Sequence, residues 1–480
     1  MTLQQHLTPT KLKNRLGILA LFLLDSAALF VIFHLAVLVR QFVLPQLLRG
    51  LPPLQYNFRA YWWLFPVWLL VMFYEEGYSR RFAAWDEVKF LWKSSFLSTV
   101  ATLIMLFLMK RAEQYSRVLI VTMFALTVLL LPLVRLRVKK FLYGAGLMRR
   151  KLLIVGSGDA ARGAYAAISN EPNLGYDVAG FIDDAAAERR IDCHKVHRGI
   201  EKIERYINSA DIHDVVVAKP ELDKNALVQL INHVQHKAEN TLFIPDIGGI
   251  AVSGTELRHF FREQTVILEI RNNLAHPLTY ATKRLMDYLA GIAVFILSIP
   301  ALLYIARLVK KDSPGPALLK QERIGKNGRP FMCYKFRTMY EDAEERLEEI
   351  LATDPEARQE WQKYWKLKND PRITPAGRWL RSSSLDELPQ VFNILKGEMS
   401  LIGPRPYLPR EREFLAGDGH IILRLPPGIT GLWQVSGRSE TSYDFRLAMD
   451  GWYVKNWDLW LDVMIAFKTI GVVLNREGAR

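Results

Sequence analysis

The chain has 480 residues, half of them hydrophobic and 11% aromatic. That excludes a disordered protein and leaves room for two or three domains of about 100–200 residues each. A formal net charge of +14 calls for an anionic partner. The basic residues cluster beside apolar runs and form no aromatic-studded stripe, so that partner is read as membrane lipid and not nucleic acid. The two cysteines, Cys193 and Cys333, are too few for a cysteine–zinc cluster and suit a reducing compartment.

The first 145 residues hold four apolar segments, near 16–38, 60–74, 95–109 and 118–134. Each approaches the roughly 20 residues of a helical span, and aromatics such as Tyr61, Trp62 and Trp63 mark an end. Lys11, Lys13 and Arg15 precede the first segment; Arg135, Arg137, Lys139, Lys140, Arg149, Arg150 and Lys151 follow the fourth. By the positive-inside tendency both ends of the group are cytoplasmic, as an even number of spans requires. Residues 1–145 are therefore expected to form a four-helix transmembrane bundle. No small-residue cleavage site follows the first apolar run, so that run reads as an anchor.

From residue 150 the texture changes. "KLLIVGSGDAARGAYAAI" predicts a buried strand, a Gly-rich turn and a helix, and "YDVAGFIDD", "HDVVVAKP" and "NTLFIPDIG" predict further strands between helical stretches. Alternating strands and helices define a Rossmann-like α/β domain with a parallel sheet over 150–276. Gly156-x-Gly158-x-x-Ala161 opens a helix, and Asp183 ends the next strand. Two readings stand: a turn that admits a pyrophosphate with an acid for the ribose, or an α/β turn that merely needs glycine.

A further apolar segment, 285–309, is flanked by Lys283 and Arg284 on one side and by Arg307, Lys310 and Lys311 on the other. Basic residues at both ends oppose a simple crossing, and Pro300 removes a helix hydrogen bond inside the segment. The reading is a helix that dips into the membrane and returns, a re-entrant helix; the alternative is a straight fifth span. Residues 310–480, rich in charge and in short Pro/Gly punctuation, then form a mostly helical domain against the membrane.

Several sites in this last stretch could carry chemistry. Lys335 and Arg337 of "YKFRTM" alternate along an extended run, so both cations face one way, as a diphosphate contact or as a solvated strand face. Pro404 and Pro406 stiffen the backbone around Arg405, so its guanidinium loses little freedom on gripping phosphate. Arg438 follows a glycine turn and is another anion contact. Ser384-Leu385-Asp386-Glu387 satisfies a helix capping box. The same acids, near Arg378, Arg381, Lys396 and Arg405, could instead divide labour, one attacking phosphorus and one holding Mg²⁺. A carboxylate at a helix start is expected to stay ionised. The histidines have no zinc-site spacing.

Taken together, "YKFRTM", "KLKNDPRITPAGRWLR", "SLDELPQVFNILKGEMSLIGPRP", "PGITGLWQVSGR" and "YVKNWDLWLD" resemble the bacterial polyprenyl-phosphate hexose-1-phosphate transferases. These are monotopic phosphoglycosyl transferases, here in a long form with four added spans and a middle domain. The resemblance covers 278–480 closely. It implies a multi-pass inner-membrane enzyme with its catalytic domain on the cytoplasmic face. Asp386 would attack the sugar-linked phosphate of a UDP-sugar, UMP would leave, and undecaprenyl phosphate would take the phosphosugar. It further implies Glu387 as the Mg²⁺ ligand, and Lys335 and Arg405 as phosphate contacts. The family's membrane helix breaks at a Ser-Pro step; here Ile299 precedes Pro300 and the serine is Ser298, one place earlier. The middle domain would serve regulation or homodimer formation. Galactose is the expected hexose, although a glucose enzyme would share every motif quoted. Two other classes remain: an NAD-dependent nucleotide-sugar dehydratase, which needs a YxxxK that 151–280 lacks, and a non-enzymatic nucleotide-sensing scaffold.

Overall fold

The computed structural model describes residues 9–54, 56–110, 115–186, 188–235, 237–246, 256–260, 265–269, 277–364, 367, 370–415, 417–436 and 443–475. They divide into two compact units, Met1–Ile247 and Gly248–Arg480.

The first unit begins with a helical bundle. Helix Pro9–Leu38 runs through one π-helical turn into Leu44–Leu47, and Leu64–Tyr74, Ala84–Leu108 and Arg117–Gly144 follow. Three of these stretches, Leu12–Leu47, Ala84–Leu108 and Arg117–Gly144, are long and apolar enough to cross a membrane, as is Pro277–Asp312 in the second unit. The chain is a membrane protein. The segment expected at 60–74 is shorter: Leu64–Tyr74 has 11 residues, a rise of about 16 Å against a hydrocarbon thickness of about 30 Å. A sharp turn follows it, where a Cβ on Gly77 would lie 2.2 Å from the Phe90 ring. Phe33, Tyr61, Leu64, Trp68 and Leu131 fill the bundle core.

Two cations of the apparent basic flank point inward. Arg135 bonds Asp25, the Gly77 carbonyl and Glu87 Oε1 (2.8 Å), while Lys139 Nζ lies 2.7 Å from Glu87 Oε2. Two acids balance two bases, which lets the charges stay buried between helices. Charge counting along the sequence cannot separate such residues from lipid-facing ones.

The sheet of the α/β part has six strands: β1 (Arg150–Val155), β2 (Tyr176–Ile182), β3 (Arg190–Ile191), β4 (His194–His197), β5 (Asp214–Val217) and β6 (Asn240–Phe243). Their order is β3-β4-β2-β1-β5-β6, parallel except for the β3/β4 pair. Leu152 to Val155 are buried without interruption, as expected for a strand covered on both faces. Helix Asp159–Ser169 covers one face, and Ile203–Ala210 and Lys224–Gln235 cover the other. The turn before β2 fastens this sheet to the bundle. Arg81 donates to Leu174 O (2.6 Å) and Met148 O (2.7 Å), and Asn173 Nδ2 donates to Phe82 O (2.9 Å) and to Glu87.

The second unit opens with an antiparallel pair, β7 (Glu256–Phe260) and β8 (Thr265–Glu269). Helix Pro277–Asp312 then runs 36 residues without interruption, about 54 Å. The helix is not broken at Ser298 and Pro300. Ser298 Oγ donates to Phe295 O (3.0 Å), and Pro300 leaves the Ile296 carbonyl without its helical donor, which permits a bend without a break. The basic residues at its start face protein: Lys283 Nζ bonds Ile402 O (3.0 Å) and Asp462 Oδ2 (2.7 Å), and Arg284 donates to Met399 O and Gly397 O. Asp287 accepts from Ser400 Oγ (2.7 Å) and Leu401 N (3.1 Å), so little more than one helical turn, from Lys283 to Asp287, holds one loop.

An antiparallel ribbon, β9 (Leu318–Ile324) with β10 (Pro330–Phe336), and a short parallel pair, β11 (Ser400–Ile402) with β12 (Gly428–Thr430), sit among the helices of this unit. Tyr453, Val454 and Ile465 of the last two helices, with Trp457 from the link between them, pack with Ile402 and Leu425 in one core.

Candidate active site

Helix Pro375–Ser383 packs against the end of the ribbon at Gly377, where a Cβ would lie 2.1 Å from the Thr338 carbonyl. It ends at Ser384, whose φ of 56° is left-handed. This corrects the capping-box expectation. Ser384 closes the preceding helix, its side chain caps nothing, and the acids enter a six-residue 3₁₀ turn, Leu385–Gln390. Glu387 is thereby free of any capping duty. Asn393 fixes this turn against the ribbon: its Nδ2 donates to Met332 O (2.7 Å) and its Oδ1 accepts from Tyr334 N (3.1 Å).

The result is a compact charged group. Lys335 Nζ lies 2.6 Å from Glu387 Oε1, with both side chains partly open to solvent. Asp386 has no ion pair or side-chain hydrogen bond among the described residues. Burial, then repulsion from Glu387, pushes its pKa up to about 6, against the pull of Lys335 and Arg381. Desolvation thus outweighs what a single 3₁₀ turn can do to lower it, yet a carboxyl at about 6 is still mostly ionised at neutral pH. Arg381 donates Nε to Thr338 Oγ1 (2.9 Å), and Arg378 is exposed on the same helix.

Arg337 does not join Lys335. Its guanidinium is buried against the Ser313 carbonyl (2.8 Å) and the Pro314 carbonyl, beyond the long helix. Strand alternation predicted a shared face, but carbonyls left unpaired beyond the helix end capture a nearby arginine first. Arg438 lies outside the described residues.

The loop Gly403–Tyr407 is bonded to the same ribbon, Ile324 N donating to Tyr407 O (2.8 Å). Gly403 approaches Gly428 so closely that a Cβ on Gly428 would lie 2.1 Å from Gly403 N, and Pro404 O accepts from Gly428 N at 2.8 Å. The buried Asp450 accepts the Arg405 N–H (3.1 Å) and the Tyr407 hydroxyl (2.7 Å) on Oδ2. Burial raises Asp450 to about 6, with the Tyr407 bond and the Arg405 N–H opposing. Arg405 itself is half-buried, and its guanidinium has no bonded partner among the described residues. Arg323, Asn393 and Asp450 escaped the sequence reading; an arginine two places before a Gly-Lys-Asn-Gly turn was the one signal for the first.

Among the described residues no three His, Cys, Asp or Glu side chains gather for a metal. Mg²⁺ keeps several waters and takes one or two carboxylates plus substrate phosphates, so Glu387 fits it without a protein cage.

In the α/β domain, the Gly156-x-Gly158 turn packs closely at its first glycine and is open at its second. Gly156 has φ +122°, and a Cβ there would lie 2.4 Å from Ala218 O; Gly158 precedes the helix with open space around it. Asp183 accepts from Lys219 Nζ (2.7 Å), Ser157 Oγ (2.6 Å) and Ala185 N (3.1 Å). Despite burial, those bonds hold its carboxyl below the usual range.

Residues 278–476 match the bacterial sugar transferase family, and residues 73–245 match a family described as a CoA-binding domain. An undecaprenyl-phosphate galactose phosphotransferase of Salmonella typhimurium is 40% identical over 403 residues, 84% of each chain. A UDP-galactose-lipid carrier transferase of Erwinia amylovora is 38% identical over 84% of each. A UDP-glucose:undecaprenyl-phosphate glucose-1-phosphate transferase of Klebsiella pneumoniae is 30% identical, over 71% of this chain and 70% of its own. The chain belongs to the bacterial sugar transferases of the polyprenyl-phosphate hexose-1-phosphate transferase type. It is an enzyme, a membrane phosphotransferase of sugars.

Proposed function

We propose that the protein transfers galactose 1-phosphate from UDP-galactose to undecaprenyl phosphate, releasing UMP, on the cytoplasmic face of the inner membrane. The product, undecaprenyl-diphosphate-galactose, would start an O-antigen, capsule or exopolysaccharide unit. The observation that carries this reading is Asp386: a carboxylate with no bonded partner, beside an acid already paired to Lys335.

In the first step an Asp386 oxygen attacks the sugar-linked phosphorus; the Asp–O–P bond forms as the P–O bond to UMP breaks. In the second, an oxygen of undecaprenyl phosphate attacks that phosphorus and the carboxylate leaves. Lys335 lies where it neutralises charge next to the nucleophile, and Arg405 offers an unoccupied fork for a phosphate. Glu387 would hold Mg²⁺, which screens phosphate charge when bound. The 3₁₀ turn and the Asn393 bonds orient the dyad so that attack is effectively unimolecular.

The helix Pro277–Asp312 is read as re-entrant, with Pro300 as the place where it bends, because a soluble sugar nucleotide and a lipid phosphate must meet on one side. Galactose is favoured over glucose by the 40% and 38% identities to galactose-named relatives against 30% to a glucose-named one. The test is UMP release from UDP-galactose with undecaprenyl phosphate by wild type and Asp386→Asn in detergent, with UDP-glucose alongside. Release by the variant at near the wild-type rate would sink the assignment, and faster release from UDP-glucose would reassign the sugar.

A further inference from the structure

One face of the ribbon links the acid pair to the loop Gly403–Tyr407. The register pairs Lys335 with Leu319, Cys333 with Gln321 and Phe331 with Arg323. Directly opposed residues, and residues two apart, share a face, so Lys335, Gln321 and Arg323 lie on the same one. At one end Lys335 meets Glu387. At the other, Arg323 Nη1 donates to Pro406 O (2.9 Å), and Ile324 N donates to Tyr407 O (2.8 Å).

Arg323 is in an unusual position for a cation. It is 8% exposed, Nη2 donates to the neutral Gln321 Oε1 (2.7 Å), and Nε has no acceptor. Among the described residues no carboxylate stands within ion-pair distance of it. Burial and then the neighbouring Arg405 push its pKa down, so the two guanidiniums lie close enough to repel. A buried guanidinium held by neutral acceptors beside a second, unpaired one is destabilising by itself. An anion arriving between them removes that penalty.

We propose that Arg323 is a positioning residue of the sugar-nucleotide site. It holds Pro406, and through it Arg405, in register with Lys335 and the acid pair, and its charge is balanced when the substrate's diphosphate is bound. This rests on the phosphotransferase reading above and adds a residue to it. Arg323 acts through Arg405, so the two are coupled.

The test measures UDP-galactose affinity in the Asp386→Asn background, where turnover does not interfere, together with wild-type UMP release. Arg323→Met weakens binding about tenfold, and Arg405→Met does so at least as much. The double variant binds within about threefold of Arg405→Met alone, the non-additivity expected of residues acting as a unit. Arg323→Lys, which keeps the charge and one donor for Pro406 O, recovers binding to within about threefold of the parent. Should the Met variant lose its thermal transition, Arg323→Gln takes its place with the same expectations. Affinity within twofold of the parent on removing the charge overturns the proposal, as does a double-variant loss equal to the product of the single losses. Absence of UMP release from the wild type would instead overturn the reaction itself.

Discussion

Asp386 should govern the acid limb of the reaction. Its ordinary value of 3.8 is raised to about 6, chiefly by burial. Only the ionised form attacks phosphorus, so UMP release in a single turnover should rise with pH and level off above about pH 7. At pH 5 about one-tenth of the enzyme would be competent, whereas an unperturbed carboxyl would leave more than about nine-tenths competent. The same shift has a sign in stability. A folded pKa above the unfolded one favours the protonated carboxyl, so this stabilisation is present below about pH 3.8 and lost as pH rises through about 6. Two units correspond to about 3 kcal/mol, which solvent screening at this incompletely buried site reduces to about 1–2 kcal/mol. Asp386→Asn should therefore be inactive yet melt at the same temperature or a few degrees higher at pH 7.5. A rate that is flat from pH 5 to 7.5, or an Asn variant less stable than wild type at pH 7.5, would refute this account of the nucleophile.

Lys335→Met removes the cation that holds Asp386 down, so the acid limb should move up by about one pH unit and the rate at pH 6 should fall about fivefold; an unmoved limb would show that Lys335 does not act on Asp386. Gly377→Ala places a methyl against the Thr338 carbonyl and should cost about 1–3 kcal/mol in denaturant unfolding. Asp183→Ala leaves Lys219 buried without its carboxylate and should cost about 3 kcal/mol or more. The folded Asp183→Ala fraction should release UMP at the wild-type rate, because that residue lies outside the transferase domain.

Much of the architecture was readable because it depends on local pattern. The run "KLLIV" became β1 and "HDVVVAKP" became β5, each an apolar stretch ended by turn residues. The acid pair and the Pro-Arg-Pro loop stood out as candidates by residue type and spacing, and only the family resemblance gave Asp386 and Glu387 their separate roles. What escaped depends on partners distant in the chain. Arg337 and Lys335 are indistinguishable by alternation until the carbonyls of Ser313 and Pro314 are in place. Ser384 satisfied a capping pattern, but its left-handed backbone makes it the end of one helix instead of the start of another. Lys283, Arg284, Arg135 and Lys139 looked like membrane flanks, and all four bond to protein groups. The partners of Asp183, Lys219 and Ser157, include one 36 residues away that no local pattern could supply.

The central claim is covalent catalysis by Asp386, and it is tested most directly by trapping the phosphosugar on the protein. Wild-type enzyme incubated with UDP-galactose and no lipid acceptor is quenched in acid and its peptides are weighed. The account predicts one added hexose phosphate on the peptide containing Asp386, lost on adding undecaprenyl phosphate and absent from Asp386→Asn. A wild-type peptide without the adduct while UMP is released, or the adduct on another residue, would contradict it.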